Sequence, residues 1–462
     1  MPGSGKSHLT KLALLDFLRD VEANPHAKLV VFEPKREFYA WIRSLGLKAP
    51  VDYFLPSDVD SVALDFAKDY SDDQDSLTLA HSFIPPDPNE RQRFWNDSLR
   101  SIYAGVYIAI KQRLGWADLR LMCLVLENEE YTRTLLGHDP YLINARRLVE
   151  PEGGTGGKTV TDIRMTINSR ITEMKVIAAQ LDRARQETGL FSLKEFVDDQ
   201  RSRVLVVSRD AKFELTQDPL NGVLFKRLAE MLDAKQADPR RKFFFVIDEF
   251  QMLAGDQPCP GIIRAFLLLR SRGVTFFMTY QALTTLKRIY GEHVSELIGQ
   301  CTSVIYLRQP DVDSATYAAE DLGRFQDFIK IGGVSFGGSS SFGRERIRSS
   351  SWTVNQNPHW HDQPIYPPTV LLNHLPTASK KRGIVGKAKS AEGGPHPWSF
   401  HYPPGVVDGI PRRNPKIVEY LQWDDTPAPR LRGLTDEEFK ALFGQTAVEA
   451  ERQRQCEKFM GP

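Results

Sequence analysis

The sequence predicts an α/β protein in which a mostly parallel sheet carries helices on both faces. Short apolar runs, such as residues 243–247, are bounded by polar residues, as in strands that are buried on both faces of a parallel sheet. These runs alternate along the chain with segments whose apolar residues recur at helical spacing. A glycine-rich loop at the start of the chain leads into the first of these helical segments.

Composition restricts the classes of protein to which the chain can belong. Its 462 residues suffice for two or three domains, and 41% hydrophobic and 26% charged residues are ordinary for globular proteins. The 60 basic and 59 acidic residues nearly cancel, which argues against a polybasic protein but allows a locally basic nucleic-acid surface. Four scattered cysteines without a Cys-x-x-Cys pair predict neither a zinc site nor a disulfide framework. No apolar run reaches the roughly 18 residues of a membrane span, and no signal peptide is evident.

The glycine-rich loop fits most of a phosphate-binding motif. The motif has a glycine, four residues and then Gly-Lys-Ser/Thr. Residues 3–7 supply its second half, and the leading glycine would fall one position before Met1. We expect Lys6 to reach the β- and γ-phosphates of ATP and the Ser7 hydroxyl to ligate Mg²⁺, while the glycines turn backbone N–H groups toward phosphate oxygens. The predicted nucleotide-binding residues are Gly3, Ser4, Gly5, Lys6, Ser7 and His8.

The residues that follow have the pattern that a phosphate loop requires, which distinguishes the loop from a chance glycine-rich start. The apolar residues at helical spacing are Leu14, Phe17, Leu18 and Val21. Asn24-Pro25 ends this predicted helix, whose amino end would face the phosphates, where its dipole favours anions. The apolar run at 28–33 is then a buried strand that ends on an acid.

A longer apolar run, residues 242–250, closes on two acids. Carboxylates at the carboxyl end of such a strand stand where α/β proteins place ligands. We expect Asp248 to hold Mg²⁺, directly or through water, and Glu249 to polarise the attacking water. Taken alone, the run also fits a core strand that ends in a solvated turn. Together with the phosphate loop, it predicts a P-loop ATPase that uses ATP and Mg²⁺.

Two further predicted strands end near candidate catalytic side chains. The run 274–281 ends on Gln281, which would sense the γ-phosphate by hydrogen bonding or would merely begin the next helix. The run 302–308 ends on Arg308. Arg270 and Arg308 are candidates for arginine fingers that act across a subunit boundary, although a surface arginine is the commoner case.

Residues 88–190 lie between the phosphate loop and the acidic strand, and they form a predicted block of helices that a glycine-rich loop at 150–160 interrupts. The α/β alternation then resumes with a strand at 204–209, whose last residue, Arg209, is a weaker site candidate. A helix is predicted at 220–234. This arrangement predicts an inserted helical domain.

The last third of the chain has less regular patterns. Residues 331–352 are rich in Gly and Ser and then basic, which favours a flexible loop that contacts nucleic acid or, equally, a disordered surface loop. Residues 375–415 are rich in Pro, Gly and Lys and predict irregular structure. Residues 434–458 predict a charged helix in a solvated tail.

The order of these motifs resembles that of the type IV secretion coupling proteins, the TraD/TraG-like conjugation ATPases of the HerA–FtsK superfamily. The order is GSGKS, a helix, VVFEPKREFYAWI, a helical insertion, VLVVSRDA, FFFVIDEFQML, LLLRSRGVTFFMTYQALTTLKRIYG and SVIYLRQPDVDSATYAAEDLG. The resemblance covers about residues 1–425. The phosphate loop alone is unspecific, whereas the Gln281 segment followed by Tyr-Gly, and the stretch 311–323, are more specific.

The resemblance implies a RecA-like P-loop sheet with its first strand missing and an inserted all-α domain. The implied domains are a first RecA-like part at 1–87, the all-α domain at 88–190, a second RecA-like part at 191–425 and a helical tail at 426–462. The implied assembly is a homohexameric ring around DNA at the cytoplasmic face of the bacterial inner membrane. In it, ATP hydrolysis between subunits would drive single-stranded DNA, with its relaxase, toward a type IV secretion channel, and the all-α domain would meet the DNA-processing complex.

The resemblance also implies roles for individual residues. Those that match the family's nucleotide site are Lys6, Ser7, Asp248, Glu249 and Gln281. Arg270 matches an interface arginine, and Arg308 lies close to another but out of register.

The chain departs from the family pattern in two ways. It begins without transmembrane helices, and the strand that precedes the phosphate loop is absent. We therefore expect that the natural protein starts upstream, or that the chain is a truncated product with weak activity. Two alternatives stay open: a soluble HerA/FtsK-like DNA motor, and an inactive remnant that serves as a DNA- or partner-binding module.

Overall fold

The structure is a computed structural model. It describes residues 5–84, 90–137, 142–149, 157–238, 240–256, 258–340, 348–378, 381–394, 396–411 and 430–445. The chain divides into two compact units. The larger unit comprises Thr10–Tyr280, Ile289–Leu297 and Pro411–Pro462, and the smaller unit comprises Met1–Leu9, Gln281–Arg288 and Ile298–Ile410.

A parallel sheet forms the centre of the larger unit. The strands of this unit are β1 (Lys28–Glu33), β2 (Val51–Phe54), β3 (Ala63–Leu64), β4 (Leu190–Phe191), β5 (Arg203–Ser208), β6 (Phe243–Ile247), β7 (Leu253–Asp256) and β8 (Val274–Met278). Five of them form a sheet in the order β2, β5, β1, β6, β8, with every pairing parallel. β1 and β6 are buried along their whole length, as continuous apolar runs in a parallel sheet should be. The predicted α/β fold with a mostly parallel sheet is confirmed.

Helices surround this sheet. Those that lie wholly or mainly in the larger unit are α1 (Lys6–Ala23), α2 (Phe38–Ser44), α3 (Phe66–Asp69), α4 (Asp73–Phe83), α5 (Glu90–Leu114), α6 (Leu119–Glu127), α7 (Glu129–Leu136), α8 (Ile143–Val149), α9 (Gly157–Glu187), α10 (Leu193–Asp198), α11 (Glu214–Asp233) and α12 (Pro260–Leu268). Two more, α13 (Leu283–Tyr290) and α14 (His293–Gly299), have residues in both units. As expected, α1 ends directly before Asn24-Pro25.

The described residues between 90 and 187 are helices and their connections, as the apolar spacing predicts. Ile102, Val106 and Ile110 on α5 are buried, together with Leu121 on α6 and Ile171 on α9. The expected loop at 150–160 is only partly testable, because 150–156 lie outside the described residues. Its end differs from the prediction, since α9 already begins at Gly157. The domain limits at residues 87, 190 and 425 stay predictions.

The expected solvated tail is wrong for the part of it that the structure describes. Helix α17 (Asp436–Phe443) packs on the helical region, with the Phe439 and Phe443 rings 5.5 and 4.9 Å from that of Tyr131. The side chain of Arg120, which is fully buried, donates hydrogen bonds to Glu438 and to the carbonyl of Gly433 (2.9 Å). A buried guanidinium requires such partners, so Glu438 serves packing, while Asp436, Glu437 and Lys440 of the same helix are exposed.

The smaller unit contains two antiparallel sheets. Its strands and helices after α14 are β9 (Ser303–Tyr306), α15 (Val312–Asp321), β10 (Arg324–Ser340), β11 (Arg348–Pro364), β12 (Ile384–Ser390), β13 (Trp398–Tyr402) and α16 (Pro404–Asp408). The order of one sheet is β13, β12, β9, and β10 pairs with β11 alone. Tyr306, Ala315, Ala318, Leu322 and Leu371 form the centre of a buried cluster.

Two expectations of irregular structure are wrong here. Residues 331–340 and 348–352 lie in the long β10–β11 hairpin rather than in a flexible loop, and 375–415 include β12 and β13. Glycine and serine lower strand propensity, but the hairpin register places Phe336 opposite Trp352 and pairs the backbone along 17 positions on each strand. Residues 341–347, which include Arg344 and Arg346 of the basic part of this segment, lie outside the described residues.

Within the part of the chain that the structure describes, no helix combines the length and the apolar character that crossing a membrane requires.

Arg120→Met tests the packing of α17. The substitution removes the buried guanidinium and leaves the carboxylates of Asp182 (3.4 Å away) and Glu438 without it. Removing one partner of a buried ion pair costs about 3–5 kcal/mol, so we expect the free energy of unfolding in urea to fall by about 3 kcal/mol. In the control Arg170→Met, the lost pair with Glu173 is half-exposed, and the expected change is below about 0.5 kcal/mol. Equal effects of the two substitutions would contradict this packing.

Candidate functional site

The two acids that end the longest apolar run lie at the carboxyl end of β6. Asp248 is 2% exposed and Glu249 is fully buried. The Asp248 N–H donates to the carbonyl of Phe32, which extends the β1–β6 pairing to the edge of the sheet. Both acids therefore stand at the carboxyl edge of the parallel strands, where α/β proteins bind ligands.

Thr279 holds both acids from the neighbouring strand β8. Its hydroxyl donates to Oδ1 of Asp248 (2.6 Å) and accepts from the Glu249 N–H (3.1 Å). Its backbone N–H donates to the carbonyl of Ile247 (2.9 Å), and its carbonyl accepts from the Phe250 N–H (2.8 Å). Four hydrogen bonds thus place one threonine across the turn that carries the acids.

Glu249 has an unusual backbone, and Lys35 and Gln251 contact its side chain. Its φ of +53° lies in the left-handed region, which costs energy for a residue with a side chain. The Lys35 ammonium nitrogen lies 3.2 Å from Oε1 of Glu249, and Nε2 of Gln251 donates to Oε2 (2.6 Å). Strain of this kind gathers at functional sites.

The turn after β1 is organised by a buried acid. The Glu33 carboxyl accepts from the Phe38 N–H, from the Tyr39 N–H (2.9 Å) and from the Ser208 hydroxyl (3.0 Å). Burial raises the pKa of Glu33 to about 7, although these hydrogen bonds oppose the rise. Arg36, within the turn, has a φ of +57°.

The predicted phosphate loop lies at the amino end of α1. Gly5 has a φ of +93°, and the first helical hydrogen bond runs from the Leu9 N–H to its carbonyl (3.0 Å). A Cβ at this position would lie 2.9 Å from Ala378, so both the backbone and the space require glycine. Lys6 and Ser7 are half-buried, and His8 is exposed. The Nζ atom of Lys6 is buried. Gly3 and Ser4 lie outside the described residues.

The phosphate loop belongs to the smaller unit and the two acids belong to the larger unit. The structure thus describes both halves of the predicted site, each in its own unit. Their convergence on one magnesium–ATP complex stays a prediction.

The four remaining candidates occupy different settings. Gln281 is exposed and follows the end of β8 by three residues. Arg270 is exposed on a single turn ahead of β8, at the opposite, amino edge of the sheet. Arg308 is half-buried and donates through Nε to the carbonyl of Leu372 (3.2 Å). Arg209 forms ion pairs with Asp218 (2.7 Å) and Glu214 (2.9 Å), which explains it as a structural residue.

Three residues at the acidic site were not predicted: Lys35, Gln251 and Thr279. Each had a signal, because Lys35 follows the acid that ends β1, Gln251 follows the acidic pair, and Thr279 follows the apolar part of β8. Polar residues just past buried strands collect at one edge of a parallel sheet. Their partners depend on strand order, which the sequence pattern does not specify.

Comparisons with known proteins agree with this fold. A family model described as the type IV secretion-system coupling protein DNA-binding domain matches residues 1–386. The chain is similar to solved structures of TrwB, a bacterial conjugative coupling protein: the unbound form (15% identity, TM-score 0.64, 91% of this chain and 86% of that chain), the complex with the non-hydrolysable ATP analogue ADPNP (16%, 0.64, 91% and 86%) and the complex with ADP and Mg²⁺ (16%, 0.62, 91% and 87%). At such identities the likeness shows the fold. The comparison with curated proteins finds no match.

Glu33→Gln tests the buried acid beside the site. Because the pKa of Glu33 is about 7 in the folded protein against 4.5 ordinarily, the folded state binds the proton more tightly, and stability falls as pH rises through this interval. We expect the free energy of unfolding of the wild type, measured relative to the variant, to drop by about 3 kcal/mol between pH 4.5 and pH 8. Urea unfolding across this range measures the drop. The exposed control Glu195→Gln should follow the wild type, and parallel curves for wild type and Glu33→Gln would refute the expectation.

Proposed function

The chain belongs to the family of the type IV secretion-system coupling protein DNA-binding domain, and from this premise we propose that it is an ATPase that drives single-stranded DNA, with its relaxase, toward a type IV secretion channel. The observation that carries the proposal is the buried pair Asp248 and Glu249 at the carboxyl end of β6, held by Thr279. Burial of two acids on one strand end has a stability cost, which a role in catalysis explains.

ATP and Mg²⁺ are the proposed cofactors. The side chains present fit them, because Asp248 and Ser7 offer only oxygen atoms, which Mg²⁺ prefers, and the positive φ of Gly5 suits a loop whose N–H groups bind phosphates. We assign the phosphates to Gly3, Ser4, Gly5, Lys6, Ser7 and His8, and the metal to Ser7 and Asp248. Bound magnesium–ATP supplies a phosphoryl group for transfer to water.

The remaining site residues have proposed catalytic roles. Glu249 orients and polarises the attacking water, and Gln281 donates a hydrogen bond to the γ-phosphate. Arg270 stands at the amino edge of the sheet, and the five residues of β8 separate the two edges by roughly 16 Å, at about 3.3 Å per residue. It therefore cannot serve the site of its own subunit and is assigned to the site of a neighbour, with Arg308 as a second candidate.

The remaining partners follow from the family. Its description names DNA binding, and we extend this to single- or double-stranded DNA, a relaxase complex and the proteins of a type IV secretion channel. A homohexamer at the cytoplasmic face of the bacterial inner membrane is the proposed setting, since a ring supplies the subunit boundary that Arg270 requires. The helical region 90–187 is the proposed contact to the relaxase complex.

Substitutions at the nucleotide site test the ATPase proposal. We expect Lys6→Ala, Asp248→Asn and Glu249→Gln each to lower the DNA-stimulated kcat at least about 100-fold, since each removes a group that stabilises or activates the reacting atoms. Glu249→Gln should keep its affinity for a fluorescent ATP analogue, because it leaves the phosphate and metal groups intact. The control Lys68→Met removes an exposed ammonium that pairs with Glu195 (2.7 Å) and Asp65 (3.6 Å), and it should match the wild type. If Lys6→Ala equals the wild type, the chain is a binding module without turnover.

Mixed rings test the assignment of Arg270. Arg270→Ala and Glu249→Gln subunits should each be inactive alone. In an equal mixture, about a quarter of the subunit boundaries would combine an intact Glu249 with an intact Arg270, so the ATPase rate should recover toward that fraction. Arg264→Ala serves as the control, because Arg264 pairs with Asp233 at an exposed position and should not reduce activity. No recovery on mixing would argue against a role of Arg270 across the boundary.

A further inference from the structure

Both carboxylate oxygens of Glu249 accept hydrogen bonds from side chains, Oε1 from Lys35 and Oε2 from Gln251. We propose that Lys35 and Gln251 form a latch that restrains Glu249, so that hydrolysis stays slow until a ligand phosphate group draws Lys35 away. The inference rests on the proposed function, because it concerns the regulation of the same site. Lys35 and Gln251 are positioning residues in this account, since they act through Glu249.

The turn after β1 is built to present Lys35 to Glu249. β1 and β6 are neighbours in register, with Phe32 opposite Ile247, so the residues that follow the two strands emerge side by side. The Glu33 carboxyl closes the turn by accepting from the N–H groups at the start of α2, and Pro34 fixes its own φ. Among the described residues, Arg36 and Glu249 are the two non-glycine residues with positive φ. One follows Lys35 directly in the chain, and the other is its partner in this contact.

Lys35 and Gln251 differ in how readily they can move away from Glu249. The side chain of Lys35 is 44% exposed, so its ammonium exchanges Glu249 for water or for a phosphate group without a large desolvation cost. Glu249 itself is fully buried and cannot find water in its present position. When Lys35 leaves, the Glu249 carboxylate is still buried and has lost one hydrogen bond. Turning toward water then stabilises it, and a residue that activates water must make this movement.

Gln251 shows that the arrangement is a compromise. It is 8% exposed, and its Oε1 atom has no hydrogen-bond partner within the described part of the chain. Its amide must direct Nε2 toward Glu249, because a carboxylate only accepts, and this choice leaves the amide oxygen unsatisfied. A buried acceptor without a donor is uncommon in folded proteins. Rotation of the Gln251 side chain would therefore release Glu249 and let the amide find other hydrogen-bond partners.

Kinetics of the full chain test the latch, with kcat and KM for ATP measured with and without single-stranded DNA. We expect Lys35→Met to raise the DNA-free kcat about fivefold, as the loss of one hydrogen bond to a charged group would allow. KM should change by less than about twofold, and the factor by which DNA stimulates hydrolysis should shrink. Gln251→Leu should act in the same direction, because it frees the second oxygen.

Two controls separate a latch from a change in folding. Lys35→Arg keeps the charge and should hold the DNA-free kcat at least about twofold below that of Lys35→Met. Lys68→Met removes another exposed lysine that pairs with carboxylates, those of Glu195 (2.7 Å) and Asp65 (3.6 Å), and should leave the kinetics of the wild type unchanged. Urea unfolding of each variant identifies any loss of the folded state.

Each outcome decides a different claim. A DNA-free kcat that is unchanged or lower in Lys35→Met overturns the latch, while the ATPase proposal survives through Lys6→Ala. A rise in Lys35→Met whose DNA-stimulated kcat also exceeds that of the wild type fivefold would overturn release by a phosphate group, because kcat is measured with both ATP and DNA bound. Wild-type turnover that equals that of Lys6→Ala overturns the proposed function itself, and the latch with it.

Discussion

A threonine hydroxyl between two buried acids is the interaction on which the rest of the acidic site depends. Asp248 and Glu249 are removed from water at the end of β6, and carboxylates in that position must be compensated by hydrogen bonds or by cations. Thr279, directly after the adjacent strand, meets part of this demand by donating to the Asp248 carboxylate, and the same hydroxyl accepts from the backbone N–H of Glu249. The parallel order of β1, β6 and β8 is therefore a chemical requirement as well as a packing solution, because it brings Lys35, the acids and Thr279 to one edge.

This order of strands also explains which parts of the site follow from sequence and which do not. The runs at 28–33 and 243–247 are apolar throughout, which predicts buried strands, and the acids after 247 are recognisable by position. The pairing of Lys35 with Glu249 joins residues 214 positions apart and depends on which strands are neighbours. A periodicity within one segment carries no information on that choice, so the partners of the acids appear only in the folded chain.

The other departures from expectation have the same origin. Helix α17 has a charged sequence, and charge alone favours solvent, but Glu438 faces a guanidinium that the helical region has buried. The β10–β11 hairpin is rich in glycine and serine, and its length comes from backbone pairing between two strands rather than from the preference of either. In both cases the deciding contact lies outside the segment itself: 318 positions away for α17 and in the next strand for β10.

The contact between Arg120 and Glu438 joins positions 318 apart in the chain. A change of either residue alone removes one partner of a buried ion pair, which is destabilising. We therefore expect the residues at positions 120 and 438 to covary among homologues. Recombination that exchanged the C-terminal segment between distant homologues would separate this pair, so natural hybrids should preserve both partners or replace both.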